Sequence, residues 1–303
     1  MISILIATYN YDCSRLLHDL RAQCLAFKQQ VGASCFDYEI ILGDDASTDS
    51  VAEQTNHLAC SALGCRYLKH EENSGQAILR NRLASEAQFP YLLFIDSDAA
   101  VCTSDFVKKY WEHRDDAQAV VGSIRNPDLK DHRGRELRYR YESAAMSKRS
   151  VEARQKHPYS FITAFNLLIH RDAFMAVRFD AHCSHYGYED ALFGLDLQRK
   201  GISIAHIDNP LVHLGIDKNR SFLHKTETAL RTLSTMGELM QREAGPSKWT
   251  SRFRRLHLAG AVAGSFLMLR PLMRWNLLSS RPSLFLFNVY KLGYYCALTK
   301  GWI

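Results

Sequence analysis

With 303 residues, 47% of them apolar, the chain has ample material for a sizeable core and no long tract that reads as disordered. The net charge of +6 is uneven: residues 244–303 hold nine Lys/Arg and no acid, whereas the first 243 hold 29 bases against 32 acids, a net of −3. The basic residues of the tail are mixed with long aliphatic runs and not set on a polar face, which argues against a nucleic-acid partner. Eight cysteines lack CxxC pairing, the closest being Cys60 and Cys65, and in a chain of this size that fits reduced thiols in cytoplasm better than a disulfide scaffold.

The N-terminus, "MISILIATYN", has no basic n-region and reads as an opening strand, Ile2–Ala7, not as a signal peptide. Leu16, Leu17, Leu20, Cys24 and Phe27 then fall at helical spacing behind Ser14, the expected N-cap. Tyr38–Gly43 is a second buried strand, ending in "DDASTDS", and Ser50 to about Leu63 reads as helix. "CRYLKH" is a short third strand; "NSGQ" breaks the chain before a helix through "AILRNRLASEA"; "PYLLFI" is a fourth strand. Apolar strands alternating with helices predict an α/β domain around a mainly parallel sheet, covered on both faces. In such sheets ligands gather at the carboxyl ends of the strands, where "TYN", "DDAST" and "DSD" all stand.

Beyond a strand at Val120–Ile124 the periodicity dissolves. Residues 125–156 carry ten bases and five acids, and "NPDLKDHRGRE" within them reads as a loop. Order returns with "SFITAFNLLIH" and "GISIAHIDNPLVHLG"; between them "HYGYEDALFGLDLQRKG" is a turn entering a helix, and a further helix is expected from about Arg220 to Arg242. In the tail, residues 256–269 form a 14-residue stretch without charge, followed by Arg270, Pro271, Arg274 and Trp275. That falls short of the ~20 residues a membrane span needs. With "SLFLFNVYKLGYYCAL" it suits a segment lying on an anionic membrane surface from about residue 246. A helical hairpin packed on the body or in an oligomer is the alternative.

The apolar strand "LLFI" ends on Asp96 and Asp98, two residues apart, which share a side if the strand runs straight and splay if Ser97 turns. Neighbouring carboxylates repel unless a cation intervenes, and Mg²⁺ or Mn²⁺ prefers such oxygen ligands together with substrate phosphates. By itself the pair also allows a capped strand end.

Taken in order, "IATYN", "EIILGDDASTDS", "NSGQAILRN", "LLFIDSDA" and "GYEDALFGLDLQRKG" resemble the motif series of family 2 glycosyltransferases, over roughly residues 1–215. The resemblance implies the GT-A nucleotide-binding fold for residues 1–217 and inversion at the anomeric carbon; the composition of 218–303 makes that region a C-terminal helical, basic and apolar appendage. It implies that Thr8, Tyr9 and Asn10 line the base and ribose pocket and that Asp45 accepts from a pyrimidine N–H, usually of uracil, with Asp44 the weaker candidate. Gly75 and Arg80 would lie near the nucleotide, the arginine meeting phosphate. Asp96 and Ser97 would face the ribose or the metal's water shell, and Asp98 would ligate the metal. Asp190, with Glu189 beside it, would be the general base, against the alternative that it caps its helix. His213 would be either a further metal ligand, as in some similar transferases, or a satisfied core histidine. Lys225 or Arg220 would meet the diphosphate on loop closure; His182 and His185 carry no signal. The sequence departs from the family's common "DDGS" at Ala46, which removes a permissive residue from the turn.

The expected activity is metal-dependent transfer of a hexose or N-acetylhexosamine from a UDP-sugar to a hydroxyl of a glycan or lipid-linked acceptor. The expected setting is the cytoplasmic face of a bacterial inner membrane, or the cytoplasm, with oligomers possible. Two other classes remain open: a haloacid-dehalogenase-like phosphatase with Asp96 as nucleophile, and a non-catalytic membrane-surface scaffold on a transferase fold. The phosphatase would usually place Thr or Val where Ala100 stands.

Overall fold

The computed structural model describes residues 1–128, 132–181, 187–235, 250 and 258–303. Contacts divide the chain into two compact units. The first comprises Met1–Pro127, Lys148–Ser184 and Glu189–Gly215; the second comprises Asp128–Ser147, His185–Tyr188 and Ile216–Ile303.

The first unit opens with β1 (Ile2–Thr8), α1 (Ser14–Val31), β2 (Tyr38–Asp44), α2 (Ser50–Leu63), β3 (Arg66–Lys69), α3 (Gln76–Glu86) and β4 (Tyr91–Asp96). Every residue of β1 is buried, because Ile4 and Ile6 enter one hydrophobic cluster while Leu5 and Ala7 enter another. A strand clothed on both sides therefore reads as an unbroken apolar run. α1 buries Leu16, Leu17, Leu20, Cys24 and Phe27, as their spacing predicts. Ser14 is not its cap, however: Cys13 stands at that position without a side-chain bond, and Asp12 Oδ1 accepts from the Ser14 N–H at 2.8 Å. α2 is capped by Asp49, whose carboxylate accepts from Val51 and Ala52.

Next come β5 (Ala99–Val101), α4 (Phe106–His113), β6 (Ala119–Arg125), α6 (Val151–Gln155), β7 (Asn166–His170), α7 (Arg171–Met175), α8 (Glu189–Arg199) and β8 (Ile204–His213), with α5 (Glu136–Met146) belonging to the second unit. The eight strands lie in the order β3-β2-β1-β4-β7-β6-β8-β5. Pairing is parallel from β3 to β4 and again between β6 and β8, and antiparallel at β4–β7, β7–β6 and β8–β5. The mostly parallel α/β expectation is met. Residues 125–156, in contrast, are not the extended irregular stretch their charge suggested, since α5 and α6 lie within them. Arg154 of α6 is buried and donates to the carbonyls of Val121, Gly122 and Ile207, satisfying acceptors around the irregularity in the β6–β8 register.

The second unit contains α5, α9 (Asn219–Thr235), α10 (Ala259–Leu277) and α11 (Leu284–Thr299). The end of α9 expected near Arg242 lies outside the described residues, as do His182 and His185. Leu137, Phe222, Leu230, Phe266, Tyr290 and Tyr294 form its core. Buried Asn219 joins three segments: it accepts from the Leu137 N–H at 2.8 Å and donates to Glu136 at 2.9 Å and to the Ser279 carbonyl at 3.1 Å. Glu227 on α9 accepts from Arg274 at 2.9 Å, from Arg270 at 3.3 Å and from the Tyr290 hydroxyl. The tail thus folds as a helical hairpin, α10 and α11, two of whose arginines answer an internal acid. Among the described residues no helix is long and apolar enough to cross a membrane.

Candidate active site

The loops leaving β1, β2 and β3 are stitched together by short polar side chains. Asn10, at φ +53°, accepts from the N–H groups of Thr48 and Asp49, both at 2.8 Å, and its own N–H donates to Ser47 Oγ at 2.8 Å. Asp44 is fully buried and takes the Ser47 N–H and the Tyr67 hydroxyl, each at 2.7 Å. Asp45 accepts from the Ser74 N–H at 2.9 Å, the Ser74 hydroxyl at 2.8 Å and the Gly75 N–H at 2.7 Å. Gly75 sits at φ +85°, a left-handed backbone that a side chain would strain. Ala46 adopts φ +60° although it has a Cβ, so the turn keeps a conformation better suited to glycine. Of the residues expected around a nucleotide base, Thr8 is buried and donates to the Tyr11 carbonyl at 3.2 Å, and Tyr9 is exposed.

At the end of β4 the chain turns at Ser97 and Asp98 before re-entering the sheet as β5. The turn gives the two acids different partners. Asp98 Oδ2 lies 3.1 Å from His213 Nε2, because Ala99 of β5 pairs with His213 of β8, and the Asp98 carbonyl accepts from the Leu214 N–H at 2.8 Å. A Cβ on Gly215 would fall 1.8 Å from Asp98 Oδ2, so only glycine admits the carboxylate there. His213 packs edge-on against Phe165. Asp96 joins Arg80 instead, with Oδ1 at 2.5 Å from Nη2.

Arg80 is the least anticipated member of the site. Expected at phosphate, it is buried under the Phe179 ring, with Nη1 3.9 Å from Asp190 Oδ1 and without a hydrogen-bond partner. Asp190 lies in the first turn of α8 and accepts from the Ala164 N–H at 3.3 Å. Its side chain retains 28% exposure. Burial pushes its carboxyl up to about 6; Arg80 opposes that rise, while Glu189 and Asp96 add to it. A carboxylate with that affinity, open to one side, is suited to taking a proton from an incoming hydroxyl.

Asp98 and His213 offer an oxygen and a nitrogen to one point. Among the described residues no set of three His, Cys, Asp or Glu side chains converges on a metal position, and Asp96, held by Arg80, does not complete one.

Residues 3–178 match the family described as "Glycosyl transferase family 2". The chain belongs to that family. Among curated relatives, this family 2 chain is 24% identical to chondroitin synthase of Escherichia coli over 70% of its own length and 34% of the relative's. It is 30% identical to an uncharacterized glycosyltransferase of Haemophilus influenzae over 36% of its length and 40% of the relative's. The chain thus spans between about a third and two fifths of the relatives it matches. Two solved structures share the fold. The mannosyltransferase PcManGT from Pyrobaculum calidifontis, in complex with GDP-Man and Mn2+, aligns at TM-score 0.55 and 14% identity over 99% of this chain and 87% of the other. S. aureus TarS 1–349 aligns at TM-score 0.53 and 15% identity over 99% and 91%. The chain has the GT-A fold these structures share, and membership of the family sets the phosphatase reading aside. Asp96 as a phosphatase nucleophile would in any case have to leave its ion pair with Arg80.

Several groups in the site gave no sequence signal. His70 is buried, with Nδ1 3.4 Å from Ser74 Oγ and 3.6 Å from Asp45 Oδ1, and burial lowers its proton affinity. Tyr67 braces Asp44 from β3. Lys225, expected at the diphosphate, belongs to the second unit, where both oxygens of Asp217 engage it at 2.9 Å. A partner on the neighbouring strand leaves no local pattern, so Tyr67 and His70 gave no motif.

Proposed function

We propose that the protein transfers a hexose or N-acetylhexosamine from a UDP-sugar to a hydroxyl of a glycan or lipid-linked acceptor, with inversion, at a membrane surface. The observation that carries this reading is the division of the three acids. Asp98 faces His213, while Asp190, with its raised proton affinity, sits on the other side of Arg80 and Asp96. One centre suits a divalent ion and the other a proton.

Asp98 and His213 would hold Mn²⁺ or Mg²⁺, with the donor diphosphate and water filling the rest of the shell, as these ions commonly accept. The ion would supply Lewis-acid stabilisation of the departing diphosphate. Asp190 takes the proton of the acceptor hydroxyl as oxygen attacks the anomeric carbon in line, and Glu189 beside it helps keep that proton affinity high. Asp45 keeps one of its about four lone-pair sites for a base N–H, and Tyr9, Asn10, Ser97 and the Ser74–Gly75 turn edge the same nucleotide. The acid-free tail supports a peripheral position on an anionic membrane.

A panel of nucleotide-sugars with Mn²⁺, scored by nucleotide release, tests the donor. UDP-sugar turnover lost in Asp98→Ala and in chelator is the expected outcome. UDP binding unaffected by both would overturn the metal assignment, and a preference for GDP-sugars would overturn the base assignment.

A further inference from the structure

Helix α10 is apolar on two faces at once. Ala263, Phe266, Met273 and Leu277 enter the core of the second unit. Ala261, Ser265, Met268, Leu272 and Trp275 recur at steps of three and four on another face, where Met268, Leu272 and Trp275 are 74%, 67% and 77% exposed. A helix apolar all round belongs in a protein core or in lipid, and among the described residues only one side of α10 has its core. Arg270 and Arg274 do not interrupt the outer stripe, because both reach Glu227. The stripe runs toward the hairpin connection, where Arg281 is exposed, and Phe285 at the start of α11 is 78% exposed. Residues 258–303 contain five Lys/Arg and no acid.

We infer that this outer stripe of α10, with Phe285, is the surface that enters the interfacial layer of a lipid bilayer bearing anionic headgroups. The inference rests on the peripheral-membrane reading above and gives it a location and a dominant force. Trp, Met, Leu and Phe partition into the headgroup–acyl boundary, while Arg281 meets lipid phosphate. A second copy of the chain is a poorer occupant. A two-fold contact through the same stripe would set two acid-free segments, each with five Lys/Arg, against each other. Because two of the tail's arginines are engaged by Glu227, burial of the stripe carries more of the attachment than charge does.

The test is sedimentation of the full chain with vesicles of phosphatidylcholine containing about 30% phosphatidylglycerol. Leu272→Glu combined with Trp275→Glu should weaken vesicle binding by about 100-fold or more. Arg281→Gln should weaken it by only about 5-fold, the scale of one interfacial charge. Far-UV dichroism and turnover with a water-soluble acceptor should be unchanged in both variants. Undiminished binding of the double variant overturns the stripe while leaving the membrane reading in place. A parent chain that ignores these vesicles even at low salt overturns the membrane reading itself. A lipid-free dimer that the double variant splits would assign the stripe to a second copy and overturn the inference.

Discussion

Each unit holds a cluster of carboxylate and guanidinium groups, and the two clusters are composed in opposite senses. In the first, one guanidinium, Arg80, serves Asp96 directly and Asp190 at longer range. In the second, two guanidiniums, Arg270 and Arg274, and the Tyr290 hydroxyl converge on a single acid, Glu227. The first cluster is one cation short, and the deficit falls on Asp190, whose carboxyl rises to about 6. The second has donors in excess of its acid. Undercompensated charge is costly for stability but leaves a group able to exchange a proton near neutrality, and oversupplied charge holds helices together.

The sharpest way to break this contrast is to remove the group that bears the deficit. Asp190→Asn should lower the rate of sugar transfer by about 10²–10⁴-fold, the usual worth of a general base, with UDP affinity by calorimetry nearly unchanged. Full turnover in that variant would end the assignment. Arg80→Met comes next. Leaving two carboxylates without their cation should cost about 3–5 kcal/mol of stability in urea melts. The same substitution should move the pH profile in a defined direction. Asp190 must be ionised to accept a proton, so the rate rises as pH passes upward through about 6 and then levels. Arg80 favours the ionised form, so its loss raises the carboxyl further and shifts the rising limb to higher pH.

Glu227→Gln should cost less, about 1–2 kcal/mol, since the heads of Arg270 and Arg274 are 31% and 37% exposed and water screens them. Its pH–rate limb should stay where the parent's lies. A shift there would show that the two clusters are not independent. The smallest effect is expected at Ala46, held at φ +60°. Ala46→Gly should raise stability by about 0.5–1 kcal/mol, the Cβ penalty of a left-handed residue less the added entropy of the unfolded chain. A loss of stability would mean that Ala46 packs usefully in spite of its backbone.

How far each region could be read in advance follows the range of the forces that shape it. The strands β1, β2 and β4 were legible because clothing on two sides writes an apolar run into consecutive residues. The acids Asp45, Asp96, Asp98 and Asp190 were legible as motifs. Helices α5 and α6 were hidden because charged residues dominate them, and α5 buries only Glu136 and Leu137. The carboxylate partners of Arg80 were hidden for a related reason: "ILRN" does not show that the fold closes Asp96 and Asp190 around it.

The sequence by itself determined the alternation of strands and helices, the family motifs at the strand ends and the acid-free character of the tail, all of them properties of neighbouring residues. The tertiary structure decided which acid meets which cation. A two-residue turn sends Asp96 to Arg80 and Asp98 to His213, and burial against Arg80 and Glu189 sets the proton affinity of Asp190. It also decided that Arg270 and Arg274 turn inward while Leu272 and Trp275 turn out. Coulomb energies and desolvation depend on distances through space, and those distances exist only after residues far apart in the chain have been brought together.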